Sequence, residues 1–296
     1  MMSARFLTVV LERAFNMRDG FGREIDYMRI SVIDSCNLNC YYCNPCDNNE
    51  HCHALNILSV KEVLCIVRAA TRLGIKHFRL TGGEPLLHPQ LDEMVLQIKK
   101  IPGVSSVSLT TNAVLLAQHA KWLKEAGIDS INVSLDTIDA SEYERNTKKP
   151  LLEEVKHGIN AAIECGIRVK INVVLTPQTD VVALTRYVAK KGTDIRFIEM
   201  MPVGEGHTNG VEPYKKVIGT LSKLYGEPCR INTEKTKEIN SGNDKRKIPD
   251  NGPAEYYIFP ELGIRVGLIQ AIHGKFCDTC NRIRVTADGR LMPCLG

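Results

Sequence analysis

Six of the eleven cysteines in this 296-residue chain fall into two triplets. Cys36, Cys40 and Cys43 stand as C-x-x-x-C-x-x-C. Cys277 and Cys280 form a C-x-x-C, and Cys294 follows after thirteen further residues. Structural zinc takes four closed ligands, and a four-iron electron carrier takes four cysteines. Three thiolates on a four-iron cube leave one iron open to a small molecule. Two triplets therefore predict two open clusters, an arrangement for catalysis. Zinc is the competing reading of the first triplet, because Cys46 and Cys52 could supply a fourth ligand, with His51 and His53 beside them.

Arg282 and Arg284 follow the second C-x-x-C at alternate positions, so a strand there puts both guanidinium groups on one face. Beside an open cluster they would grip phosphates through bidentate, charge-assisted hydrogen bonds. A solvated strand face is the plainer alternative. Arg29, Arg79, Lys170 and Arg196 fall in or at other apolar runs. Charges in such places are costly unless the fold closes around something anionic. Thr81-Gly82-Gly83-Glu84-Pro85 is either a strand-end turn or a place where backbone approaches a ligand closely. Asp136 could cap a helix, and Met201 could be core filler.

The elements that must position these residues alternate. Apolar runs predict strands at Met28–Ile33, Phe78–Thr81, Val107–Thr110, Ile131–Leu135, Val169–Leu175 and Ile195–Glu199. Helical patterns lie near Ser59–Leu73, Pro89–Lys100, Leu115–Ala126, Leu151–Cys165 and Val181–Lys191, several ending at glycine (Gly74, Gly127, Gly166, Gly192). Strands that read as almost continuously apolar, alternating with helices, predict a parallel sheet covered by helices. The fold class is α/β. Six βα units fit a partial, open (βα)6 TIM-like barrel better than a doubly wound sheet. A β-containing C-terminal extension carrying the second cluster follows. Pro213 could open a helix reaching Tyr225. Tyr256–Phe259 with Ile264–Ile269, and Ile283–Thr286 with Leu291–Met292, read as two strand pairs. The expected domains are an N-terminal extension over 1–19, the barrel over 20–203 and the C-terminal region over 204–296.

Composition narrows the class. The chain is 44% hydrophobic and 24% charged, which supplies an ordinary globular core. A net charge of +4 is too small to argue for nucleic acid but suits a local anion site. A disulfide framework is disfavoured in so long a chain. The run Phe6–Leu11 is too short for a secretory h-region or a membrane span. Arg5, Arg13 and Arg18 suggest a presequence, which Glu12 and Asp19 oppose, and Met17 is an alternative start. The expectation is a cytoplasmic protein with no membrane and no nucleic-acid partner.

The loop Cys36-Asn37-Leu38-Asn39-Cys40-Tyr41-Tyr42-Cys43 resembles that of the radical S-adenosylmethionine (SAM) superfamily. The resemblance implies that the open iron binds the amino and carboxylate groups of SAM. An electron from the reduced cluster then yields a 5′-deoxyadenosyl radical. It also implies that Tyr42, Gly83, Ser134 and Met201 contact SAM. With the second triplet, the resemblance narrows to the GTP 3′,8-cyclase family, which opens molybdenum cofactor biosynthesis, and it covers the chain from about Gly20. It implies two [4Fe–4S] clusters on Cys36, Cys40, Cys43 and on Cys277, Cys280, Cys294. It further implies a GTP pocket lined or supported by Arg29, Arg79, Thr110, Lys170, Arg196, Arg282 and Arg284. The reaction implied takes H3′ from the ribose of GTP and joins C3′ to guanine C8, giving 3′,8-cyclo-7,8-dihydro-GTP. The partners implied are a low-potential donor such as flavodoxin or ferredoxin, a functional link to cyclic pyranopterin monophosphate synthase, and a homodimer.

Departures from the family pattern are His77 where a lysine is usual, with Lys76 facing the other way, Ala113 for a glycine, and the additional Cys46 and Cys52. The family also continues past its last cysteine to a Gly-Gly tail. The expectation for a chain written to Gly296 is a bound cluster pair with little cyclised product. The rival readings are a peptide-modifying radical SAM maturase and an inactive metal-binding paralogue.

Overall fold

The structure is a computed structural model, described over residues 17–43, 56–201, 211–231 and 252–294. The predicted neighbours Cys46, His51, Cys52 and His53 and the run Phe6–Leu11 lie outside the described residues. Six parallel strands occur where the apolar runs place them: β1 (Tyr27–Ser31), β2 (His77–Thr81), β3 (Ser106–Thr111), β4 (Ser130–Ser134), β5 (Val169–Leu175) and β6 (Asp194–Glu199). The helices between them are α1 (Val60–Arg72), α2 (Leu91–Lys99), α3 (Leu116–Glu125), α4 (Ala140–Thr147), α5 (Leu152–Glu164) and α6 (Val181–Lys190). A capping box opens α1: the Glu62 amide donates to Ser59 Oγ, and the Ser59 amide donates to the Glu62 carboxylate.

Two elements escape the sequence patterns, α4 and the short strand β7 (Cys229–Ile231). Asp139 caps α4 by accepting from the Glu142 amide. Only Tyr143 and Thr147 of that helix are buried, so its apolar periodicity is faint. The segment from Pro213 begins with a π-helical turn over Tyr214–Ile218 before α7 (Gly219–Tyr225).

The remaining strands are β8 (Glu255–Ile258), β9 (Arg265–Ile269), β10 (Arg282–Val285) and β11 (Leu291–Met292). The β8–β9 and β10–β11 pairs are antiparallel, as read from the sequence. Both pairs join the barrel's own sheet. Its order is β11-β10-β1-β2-β3-β4-β5-β6-β9-β8-β7. Here β10 lies parallel to β1, and β9 lies parallel to β6. The parallel array therefore grows at both ends, and residues beyond 204 complete the walls begun before them.

The strands are not continuously apolar, which corrects the sequence reading. Alternate residues such as Met28, Ile30, Phe78, Leu80, Ile131, Val133, Phe197 and Ile195 belong to the core packed under the helices. The residues between them face inward and are polar: Arg29, Arg79, Ser108, Asn132, Lys170 and Arg196. Cross-strand register sets Arg29 between Arg79 and Arg284. An ordinary barrel fills its interior with branched apolar side chains. This one is hollow and charged.

Candidate active site

A cavity of about 780 Å³ runs through the barrel. Its wall at the C-terminal strand ends is formed by Cys36, Cys40, Tyr42 and Cys43 of the first cysteine loop, with Gly83, Glu84, Asn112, Ser134 and Asp136. Toward the strand starts it is lined by Tyr27, His77, Ser106 and Arg168. Between lie the cations Arg29, Arg79, Lys170, Arg196 and Arg282, together with Thr110. Twelve of the predicted site residues thus meet in one volume. Met201, Arg284, Cys277, Cys280 and Cys294 are not among the lining residues.

The glycines let the chain approach itself, and both also line the cavity. A Cβ on Gly82 would lie 2.4 Å from the Ile33 carbonyl oxygen, and one on Gly83 would lie 2.2 Å from that of Ser35. The Gly83 and Glu84 amides donate to the Ile33 and Ser35 carbonyls, each at 2.7 Å. This turn therefore holds the segment that delivers the first cysteine loop. Glu84 is buried, and its carboxylate accepts from the Leu86 amide, the Thr111 hydroxyl and the Asn112 amide. Burial still pushes its pKa up.

The loop is fastened on two further sides. Tyr42 donates its hydroxyl hydrogen to Asp136, which also accepts from the Val174 amide at 2.7 Å. Asp136 is thus no helix cap; Asp139 takes that role. Desolvation raises the Asp136 carboxyl to about 6. On the other side Asn112 Nδ2 lies 2.7 Å from Asn37 Oδ1 and 3.8 Å from Cys36 Sγ. Desolvation, then the Asp136 charge, lifts the Cys40 thiol to about 12, and Cys36 and Cys43 are raised too, with desolvation the largest cause. The three sulfur atoms are close enough to oppose one another's ionisation. Metal binding must displace their protons.

The cations form a bank on β10, β1 and β2. Desolvation first, then Arg79 and Arg284, lowers Arg29 to about 9. Its Nε is shut from solvent with no hydrogen-bond partner among the described residues, as is that of Arg282. Arg79 donates to the Tyr27 hydroxyl and stacks its guanidinium 5.7 Å from that ring. The Oδ1 atoms of Asn132 and Asn172, also on the cavity wall, are likewise unmet among the described residues. Positive charges and orphaned donors crowded into a hollow call for an anionic, hydrogen-bonding occupant.

The second triplet stands apart. Cys277 lies on an exposed 3-10 turn, Cys277–Thr279, below the start of β10. Arg23 donates to the Cys277 carbonyl at 2.5 Å; its charge is favoured chiefly by its Asp19 partner and least by Cys280 and Cys277. Asn281 Nδ2 donates to Asp26 at 2.7 Å. The Arg284 guanidinium, depressed by burial and Arg282, is partly restored by Cys294 and Cys280. Among the described residues, no three His, Cys, Asp or Glu side chains converge as ligands of a single ion. A cubic cluster spaces its thiolates more widely than one ion does.

Sequence reasoning missed Asn112, Asp136 as a partner for Tyr42, Tyr27, Arg23 and the two asparagines. Tyr27, Asn132 and Asn172 were legible as the polar half of a two-residue alternation in their strands.

A hollow parallel barrel with a three-thiol loop at its C-terminal mouth defines a class of enzyme, and comparison with known proteins agrees. The radical SAM superfamily matches residues 30–184, and Molybdenum Cofactor Synthesis C matches residues 193–296. Curated relatives named GTP 3′,8-cyclase include one from Pelotomaculum thermopropionicum, 38% identical over 94% of this chain and 84% of its own. Another from Clostridium perfringens is 37% identical over 94% and 83%. A third from Listeria monocytogenes is 37% identical over 94% and 82%. Among solved structures, Streptococcus suis SuiB bound to precursor peptide SuiA superposes with a TM-score of 0.66 at 15% identity, covering 98% of this chain and 63% of that one. Methylornithine synthase gives 0.54 at 17% identity, over 77% of this chain and 71% of that one. At such identities these two share the fold alone. The chain belongs to the radical SAM superfamily and, within it, to the GTP 3′,8-cyclase family.

Proposed function

We infer that this protein is a radical SAM cyclase that converts GTP to 3′,8-cyclo-7,8-dihydro-GTP, opening molybdenum cofactor biosynthesis. One observation carries the reading. The three-thiol loop and the cation bank share a single cavity, so a cofactor at the mouth and a polyphosphate at the bank would meet inside it.

The residues fit the groups the family uses. Cys36, Cys40 and Cys43 would hold the cluster that binds SAM, with Tyr42, Gly83, Ser134 and Met201 about the SAM. Cys277, Cys280 and Cys294 would hold a second [4Fe–4S] cluster. When bound, SAM and its cluster supply a 5′-deoxyadenosyl radical, able to take H3′ from the ribose. The chain's own part is placement. Arg29, Arg79, Lys170, Arg196, Arg282 and Arg284 would neutralise the triphosphate, and Thr110 would hydrogen-bond the nucleotide. The walls would exclude water that could quench a radical. A triphosphate suits this bank better than an uncharged peptide does.

Among the described residues, no helix is long and apolar enough to cross a membrane. We place the protein in the cytoplasm, supplied by a low-potential donor such as flavodoxin or ferredoxin. Its product would pass to cyclic pyranopterin monophosphate synthase, and a homodimer is proposed.

Anaerobic SAM cleavage, measured with and without GTP, tests the reading. Cleavage should rise with GTP, with at most a little cyclised nucleotide formed. Cleavage indifferent to GTP, with no nucleotide product, would overturn it. Zinc without acid-labile sulfide would favour the inactive paralogue.

A further inference from the structure

The turn that follows β3, Thr111-Asn112-Ala113, is more constrained than a connection requires. Ala113 is fully buried with φ of 66°, a left-handed conformation that a Cβ disfavours. It is pinned from both sides. Thr111 Oγ and the Asn112 amide donate to the two oxygens of buried Glu84, each at 2.7 Å. The Ala113 amide donates back to Thr111 Oγ at 3.0 Å. From outside, Gly158 of α5 packs so closely that a Cβ there would sit 2.4 Å from the Ala113 carbonyl oxygen.

This bracing fixes the Asn112 side chain. Its Oδ1 accepts the Val114 amide at 3.0 Å, so the opposite end of the amide must be the nitrogen. That nitrogen reaches Asn37 Oδ1 at 2.7 Å and Cys36 Sγ at 3.8 Å. A flipped amide would set oxygen against oxygen at Asn37. The strained turn therefore aims one N–H donor at a sulfur atom 76 residues away in sequence.

We propose that Asn112 is a positioning residue whose amide donates to the Cys36 sulfur and thereby eases reduction of the cluster that Cys36 helps to hold. The inference rests on the reading of Cys36 as a cluster ligand. An added electron increases the negative charge spread over the cluster and its thiolates. A donated N–H stabilises that charge, so its loss makes reduction harder.

The test is a redox titration of the reconstituted full-length protein, following the reduced-cluster EPR signal that changes when SAM is added. Asn112→Asp keeps an oxygen for the Val114 amide and replaces the donor at sulfur by an acceptor. At a fixed donor potential the ratio of reduced to oxidised cluster should fall about tenfold, about 59 mV for one electron. Asn112→Ser also retains an oxygen near the Val114 amide but is too short to reach sulfur, and it should shift the potential the same way by less. It decides the matter if the aspartate variant does not fold or load. A merely structural asparagine predicts a serine variant that titrates like wild type, the aspartate shift then coming from its added charge alone, and that result overturns the proposal. The underlying ligand reading fails differently: Cys36→Ala would then keep the SAM-responsive signal in full.

Discussion

The two cysteine triplets sit in opposite surroundings. The first lies against carboxylates, Glu84 and Asp136, and is tied down by Tyr42 and Asn112 at the mouth of the cavity. The second lies on an exposed turn among cations, Arg23 and Arg284. The braced site suits a cofactor that must be aimed at a reacting carbon. The cationic site suits contact with the phosphate-bearing end of a substrate. One sheet carries both because β10 lies beside β1.

The largest expected effect separates the triplets outright. Anaerobic reconstitution should load about eight irons and eight sulfides per chain. Replacing Cys36, Cys40 and Cys43 by alanine should remove half of them and all SAM cleavage. Replacing Cys277, Cys280 and Cys294 should remove the other half and the GTP-dependent product. Retention of both clusters in either variant would break the comparison.

A smaller effect tests the bracing. Gly83→Ala would drive a methyl group to 2.2 Å from the Ser35 carbonyl oxygen and 2.3 Å from that of Asp34. Backbone cannot yield as a side-chain tip can. We expect a loss of about 2–3 kcal/mol in stability, from denaturant titration. The iron bound at the first triplet should fall while that at the second is kept. Equal loss at both would mean that the turn supports the whole sheet and not one loop.

The smallest effect concerns the cation bank between the triplets. Arg29 is crowded by like charges, and its Nε is unpaired among the described residues, so its charge costs the ligand-free protein stability. Arg29→Met should raise the unliganded midpoint by about 1–2 kcal/mol while weakening GTP binding by about 1.5 kcal/mol. The sign with pH follows. With a folded pKa near 9, below its ordinary value, the unfolded chain binds the extra proton. Wild type should therefore gain stability relative to the variant as pH rises through 9. Thermal melts across that range, with and without tripolyphosphate, check both points. A variant less stable than wild type without ligand would show the bank to be structural.

Much of this was legible in sequence. The six barrel strands announce themselves because their outward faces, such as Phe78 and Leu80, are buried under helices. The thiols announce themselves by spacing. Helix α4 did not, because it buries only Tyr143 and Thr147. Asn112 was hidden for another reason: an asparagine after a strand reads as an ordinary turn residue. Its task depends on a sulfur that only the folded sheet brings near. Gly82 and Gly83 were legible as a close approach, but not what approached, since the neighbour is backbone of Ile33–Ser35.

The pairing of β10 with β1 also sets an order of events during synthesis. Asn281 meets Asp26 across 255 residues of chain. The β1 edge facing β10 therefore stays without its partner until Arg282–Val285 has left the ribosome. An edge open for so long invites pairing with other nascent chains. The last wall of the barrel is thus also its slowest contact to form. Changes in β10 should lower soluble yield before they alter any property of the finished enzyme.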